Sequence, residues 1–351
     1  MKKNSLVKRF TLYIIIFGFT MIILIPLYFL IMLSFLSNNE AYKFPLPMVP
    51  AFSVDFQMTP MDPETGNYTL SIHDKLTDEW QSVTAADDPD TFVTYMRTNL
   101  NVLMSPEDIQ AKMDEADQAG QAIEFNHRKN LFQNYVVFFT VTRDAIPSLI
   151  RSIEVAFFTI LISITIGGVA GYAFARYAFK GKEALKVSVL FVRMFPAVAI
   201  AIPMATILAN MGLYDQPLGL SLVYAVSNIG LTVWITMSLF MSIPVALEEA
   251  AKVFGCSPAK AIWYVTLPLA LPGLAASAMY AFISAWTETV SALILTQSNP
   301  TFAVVVYQTL IGTTGQVNLA AAGGIALAVP ALIFTLFIRK YINQMWGSVS
   351  V

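Results

Sequence analysis

Little in this sequence could make or break a covalent bond. His73 and His127 are the only histidines and Cys256 the only cysteine, and no cluster of further ligand residues stands beside them. A structural zinc site needs about four ligands, so no metal site is expected, and a lone thiol forms no internal disulfide. The group in the least usual setting is Glu288, inside the apolar run Leu269–Thr296. An acid at the centre of a lone spanning helix costs about 2.5–3.5 kcal/mol on insertion scales, so Glu288 should face a bundle or pore. Two roles stay open for it: lining a solute path together with Trp286, or locking two helices through a hydrogen bond. An enzyme would need acid, base, nucleophile or metal ligands converging at one depth, whereas here the few charges in apolar runs are scattered.

The elements that hold Glu288 are membrane spans. Charged residues make up 13% of the chain and apolar residues 56%, against roughly 25% charged in soluble domains. Crossing the hydrocarbon takes about 20 apolar residues. Six runs qualify: Phe10–Leu36, Ser148–Ala175, Val187–Met211, Leu218–Met241, Leu269–Thr296 and Leu319–Ile338. The first follows Lys2, Lys3, Lys8 and Arg9 and is too long for a signal peptide, so it reads as an uncleaved anchor. Basic residues in short loops mark the cytoplasmic side. The N-terminus, Arg176–Lys186, Lys252–Lys260 and Arg339–Lys340 fall on one face if there are six crossings, which places both termini in the cytoplasm.

Residues 37–146 carry 17 acidic and 7 basic residues. Asp62-Pro63-Glu64-Thr65-Gly66 signals a hairpin turn within 52–72. Ser105-Pro106 with Asp108 opens a helix that Gly120 can close. Phe52, Phe56, Tyr68, Trp80, Phe92 and Tyr95 could fill a small core. A small extracytoplasmic domain is expected, either a docking surface for an outside partner or a decorated loop.

Between the fourth and fifth runs, Pro244 can open a short helix and Gly255 can close it in the left-handed region. Ser257 and Pro258 then cap and start a second helix, which Pro268 ends at the membrane. On the first helix Leu247, Ala250, Ala251 and Phe254 form an apolar stripe beside Glu248 and Glu249. By itself such a helix is equally an interfacial segment.

This stretch resembles the signature loop of importer-type ABC permeases, the binding-protein-dependent family. Glu249-Ala250-Ala251, Gly255, Val265 and Leu267-Pro268 fit its spacing throughout. Phe254 stands where the family usually has Asp, and Cys256 where it usually has Ala. Asn134-Tyr135, Gly171-Tyr172-Ala-Phe-Ala-Arg176, Trp286-Thr287-Glu288 and the ending Arg339-Lys340-Tyr341…Trp346-Gly347 resemble the carbohydrate branch, and within it the maltose-type second permease subunits. The likeness covers roughly 1–36 and 131–351.

The resemblance implies an all-α membrane fold of about six transmembrane helices with an extracytoplasmic insert between the first two. The organisation is then a cytoplasmic N-terminus (1–9), the first span (10–36), the insert (37–146), a permease core (147–345, with its coupling loop at 242–268) and a cytoplasmic tail (346–351). It implies that Glu249, Ala250, Ala251 and Gly255 contact a cytoplasmic ABC ATPase dimer, with Leu267 and Pro268 joining that contact to the fifth span. The chain has no Gly-x-x-x-x-Gly-Lys-Ser/Thr loop. It is therefore expected to be a transport subunit and not an enzyme, without a cofactor of its own, ATP and magnesium residing on the partner. The other partners implied are a second homologous permease subunit, an extracytoplasmic solute-binding protein and membrane lipid, with no nucleic acid. The cargo implied is a sugar or oligosaccharide. Amino acids and oxyanions are the alternative cargoes, and an ion-coupled carrier is the alternative class; for the latter no internal repeat is evident.

Overall fold

A computed structural model describes residues 2–74, 77–142, 144–312 and 315–347, with side chains described from 9 to 342 within these. The chain forms two compact units, residues 1–143 with 309–325, and 144–308 with 326–351. Among the described residues five helices are long and apolar enough to cross a membrane, or six when a sharply bent pair counts as one. The part of the expected tail beyond Gly347 lies outside the described residues.

The first unit begins with α1 (Lys2–Phe35) and the single turn α2 (Asn38–Ala41). Strands β1 (Ser53–Met58), β2 (Tyr68–Asp74) and β3 (Glu79–Ala86) follow, then α3 (Pro89–Asn99), α4 (Pro106–Ala119), β4 (Ile123–Arg128) and α5 (Gln133–Val141). The membrane bundle thus carries a mixed α/β insert. Its antiparallel sheet has the order β3-β2-β1-β4, with Phe56 opposite Ile72 on one side and Phe125 on the other. The expected hairpin is present: Asp62 accepts from the Glu64 amide and the Thr65 hydroxyl, and Gly66 takes φ +72°. Ser105 caps α4 by accepting from the Asp108 amide at 3.1 Å, and Gly120 closes it at φ +60°.

The insert's core contains Phe56, Tyr68 and Phe92 as expected, with Met58, Leu70, Met96, Ile109 and Met113. Phe52 is a correction: it is exposed, because it precedes β1 and is never drawn under the helices. Lys129 is buried against Glu40, whose carboxylate also accepts from the Ser37 amide. Asn134 on α5 uses its whole amide, donating to the Ser34 and Leu36 carbonyls at 2.8 and 2.7 Å and accepting from Asn101 and Asn318. Most buried side-chain amides are satisfied by such partners.

The second unit contains α6 (Ala145–Arg176), α7 (Lys182–Val192), α8 (Ala197–Asn210), α9 (Pro217–Ser242) and α10 (Val245–Val253). Next come α11 (Pro258–Ala261), a π turn (Ile262–Thr266), α12 (Leu267–Thr287) and α13 (Val290–Leu295). Last in the chain are α14 (Phe302–Ile311) and α15 (Val317–Gly347), of which residues 309–311 and 317–325 belong to the first unit. Three expectations are corrected. The run Val187–Met211 is not one helix: α7 and α8 meet at 90°, because Pro196 lacks an N–H and drives Phe195 out of the helical region. The fifth run breaks at its end: α12 stops at Thr287 and Glu288 is extended (ψ 120°), so the acid sits at a break and not near the middle of a helix. The helix beginning at Pro258 does not stop at Pro268, since the π turn carries it on into α12. A widened turn accommodates the proline's missing donor and its ring.

Small residues bring α6 and α9 together. A Cβ on Gly167 would stand 2.7 Å from the Thr232 methyl, and one on Gly171 2.0 Å from the Thr236 hydroxyl. Close backbone approach replaces the hydrophobic drive that lipid withholds. Gly171→Val should therefore cost about 1–3 kcal/mol through overpacking and lower the melting temperature of the detergent-solubilised chain. Gly324→Ala, which meets nothing within 4 Å, should leave that temperature unchanged; equal melting of the two variants would contradict the packing account.

Candidate functional site

The loop between α9 and α11 folds as its glycine dictates. Gly255 takes φ +89°, a conformation that strains any residue with a Cβ. The turn satisfies both carbonyls of a Schellman closure: the Gly255 amide donates to Lys252 and the Cys256 amide to Ala251, each at 3.0 Å. Ser257 then accepts from the Lys260 amide, with Pro258 in the first position.

α10 has two different faces. Glu248 points inward and is buried. Its Oε1 accepts from Arg176 Nε at 2.8 Å, and its Oε2 from the Tyr172 hydroxyl at 2.9 Å. The same guanidinium donates to the carbonyls of Phe240 at 2.7 Å and Ile243 at 3.1 Å at the end of α9; the Phe240 carbonyl also accepts from the Ile243 amide at 3.3 Å. Burial alone would raise the Glu248 carboxyl; hydrogen bonds from Arg176 and Tyr172 hold it below the usual carboxylate range. Outward stand Leu247, Glu249, Ala250, Lys252 and Phe254, the last 88% exposed. Ala251 is half-buried and Gly255 exposed, while Leu267 packs against Phe240 and Ile243, with Pro268 exposed beside it.

A second site lies where the helices break. A cavity of about 240 Å³ is lined by Arg193, Tyr224, Asn228, Tyr280, Ser284 and Glu288, among others. Glu288 accepts from the Ser291 amide at 2.9 Å, capping α13, and its own carbonyl accepts from the Tyr224 hydroxyl at 3.4 Å. Arg193 sits at the α7–α8 break, donates to the Tyr280 hydroxyl and lies 5.0 Å from that ring's centre. Trp286 is separate from the cavity: fully buried, stacked on Phe282 and donating to the Leu327 carbonyl at 2.9 Å. Among the described residues no group of three or more His, Cys, Asp or Glu could hold a metal ion.

Sequence reasoning brought Glu249, Ala250, Ala251 and Gly255 to one loop but missed Arg176, Tyr172 and Arg193. A usable signal existed for the first two, since Tyr172 and Arg176 stand four apart at the end of a span and share a helix face. Removing one partner of a buried pair costs about 3–5 kcal/mol. Arg176→Ala should thus destabilise the chain by that order and raise amide exchange across residues 245–256. Glu249→Gln, on the exposed face, should change neither, and matching exchange profiles for the two variants would dismiss the asymmetry.

The comparisons agree with this geometry. Residues 163–346, just over half of the chain, match the family model described as binding-protein-dependent transport system inner membrane component. The trehalose transport system permease protein of Mycobacterium tuberculosis is 35% identical over 202 residues, 56% of this chain and 73% of that one. The trehalose/maltose transport system permease protein of Thermococcus litoralis is 29% identical over 218 residues, 61% of this chain and 78% of that one. A crystal structure of a bacterial ABC transporter involved in the import of the acidic polysaccharide alginate shares the fold, with a TM-score of 0.50 and 20% identity over 61% of this chain and 83% of that one. The chain belongs to the binding-protein-dependent family of inner membrane components, as a transmembrane permease subunit of an ATP-driven importer.

Proposed function

We propose that this permease imports a sugar or oligosaccharide and that α10 is its contact with a cytoplasmic ATPase dimer. The observation that carries the coupling reading is the two-faced helix. Its apolar, small-residue surface of Leu247, Ala250 and Phe254 is exposed, while Glu248 on the opposite face is tied to α6 and to the end of α9. An ATPase groove closing on the exposed face would displace α10, and Arg176 would pass that displacement to two spans. Glu249 and Lys252 offer charges to the partner at the rim of the contact. Leu267, seated on Phe240 and Ile243, and Pro268 continue the linkage into α12.

The cavity at Glu288 is the proposed solute path. Its hydroxyls, amide, carboxylate and guanidinium are hydrogen-bonding groups suited to a polyol, and the tyrosine rings offer flat apolar faces. Intramembrane ionisable residues commonly mark such paths. The named cargoes of the sugar-permease relatives support the same class. In this reading a second homologous permease subunit supplies the other half of the pore, and an extracytoplasmic binding protein delivers the solute. Both termini then face the cytoplasm, and the insert lies outside. ATP-driven closure moves solute only in so far as it favours one access state over the other.

Co-purification tests the contact. The tagged chain, purified from its native membrane in mild detergent, should bring down an ATPase and a second permease subunit, and Glu249→Lys or Gly255→Pro should reduce ATPase recovery at least tenfold with membrane insertion unchanged. Undiminished recovery and uptake in both variants would overturn the assignment of α10. For the cargo, Glu288→Gln should lower uptake of a radiolabelled sugar taken up by the unmodified transporter, with ATPase recovery intact; uptake of no sugar across a panel including trehalose and maltodextrins would reject the sugar reading.

A further inference from the structure

The segment between α2 and β1 is unlike the rest of the insert. From Phe44 to Val54 it has no charged residue, within a region carrying 17 acids. Phe44 is 98% exposed, Met48 67% and Phe52 68%. These side chains are outside the sheet-and-helix core that buries Phe56 and Phe92.

Its depth is fixed by one hydrogen bond. The Tyr28 hydroxyl donates to the Met48 carbonyl at 2.5 Å. Tyr28 lies on α1 seven residues before the helix ends at Phe35, so its Cα is about 10 Å below that end at 1.5 Å per residue. Helical side chains lean toward the N-terminus, which carries the hydroxyl deeper still. The chain therefore leaves α1, turns through α2 and descends along the helix before rising into β1. The apolar stretch of α1 from Phe10 to Phe35 is about 39 Å long, more than the ~30 Å hydrocarbon core, and its side chains beside Tyr28 are exposed and apolar. Met48 thus reaches the level where a spanning helix meets the headgroup boundary.

The backbone suits that setting. Lipid tolerates few unsatisfied amides, and Pro45, Pro47 and Pro50 have no N–H to satisfy. The Met48 carbonyl is satisfied by Tyr28. Charges resume at either end and are already engaged: Lys43 pairs with Asp74 at 2.8 Å, and Asp55 accepts from Asn126.

We propose that Phe44–Phe52 is a re-entrant apolar loop seated in the membrane leaflet next to the insert, with Phe44, Met48, Val49 and Phe52 in contact with lipid. It anchors the insert to the bilayer beside α1. The occupant follows from continuity: the loop lies against a membrane-spanning helix, at a depth where that helix presents apolar side chains to its surroundings.

Lipid quenching tests this on the full-length chain in phosphatidylcholine–phosphatidylglycerol nanodiscs. In a Cys256→Ser background, single cysteines at Phe44, Met48 and Phe52 carry a bimane label, with Glu64→Cys in the exposed hairpin turn as reference. Lipids bearing a nitroxide at carbon 5 should quench labels at 44 and 48 at least threefold more than at 64, and aqueous iodide should show the reverse order. Because all three loop positions are exposed, labelling leaves the core intact. Iodide quenching at 44 and 48 equal to that at 64 would overturn the proposal in favour of a solvated loop. Shielding from both quenchers would overturn it in favour of a protein partner, the second permease subunit or the binding protein.

Discussion

One guanidinium closes three element ends at once. Arg176 is the last residue of α6, donates to the Glu248 carboxylate of α10, and donates to the carbonyls of Phe240 and Ile243 where α9 ends. Each group alone would be costly where it stands. The carboxylate would be a buried charge, and the buried end of α9 would lose donors to its last carbonyls. Together they cancel, and the planar fork of arginine makes this possible where the single ammonium of lysine could not reach all three. Tyr172 completes the arrangement from one turn earlier, with its ring edge-on to Phe240. The loop helix is therefore held by directional bonds on one side only. Its other side is left to a partner, and in the proposed importer this polarity lets a push on α10 become a movement of α6 and α9.

The same accounting governs the interior of the bundle. Membrane helices break only where the freed backbone groups find partners or line a cavity. The α7–α8 break and the Glu288 break open on one cavity; Arg193 donates to the Tyr280 hydroxyl at the first, and at the second the Ser291 amide donates to the Glu288 carboxylate and the Tyr224 hydroxyl to the Glu288 carbonyl. The π turn before α12 is a third irregularity; it reconciles Pro268 with a continuous helix. Proline thus breaks one span at Pro196 and leaves others intact, as at Pro26, Pro272 and Pro330.

What the sequence made legible follows the range of each cause. Local causes read well. The Ser105 cap, the Gly120 and Gly255 closures and the Asp62–Gly66 turn depend on a few neighbouring residues. Apolar length located the spans. Non-local causes did not read: β4 pairs with β1, far back in the sequence, with two helices between them. The ends of the third and fifth spans were misjudged because apolar composition continues through Phe195-Pro196 and past Thr287, whereas hydrogen bonding does not. At the loop, the family pattern pointed to Glu249, while the buried work falls to Glu248, which only the position of Arg176 reveals.

The two units are stabilised by different forces, and their compositions differ accordingly. The insert buries Phe56, Phe92, Met58 and Met113 between a sheet and two helices, removing large apolar side chains from water. The bundle has no such gain, because its surroundings are as apolar as its interior. It uses instead close approaches at glycine, as at Gly167 against Thr232 and Gly230 against the Val189 oxygen. Contacts of that kind are short-ranged and depend on backbone fit, so helices sharing them either keep their register or part. A transporter must move its helices between discrete arrangements while keeping every backbone group satisfied. A core held by close fit and a few directional bonds permits that, whereas a large hydrophobic core, whose stabilisation grows with buried area in any register, would select no particular one.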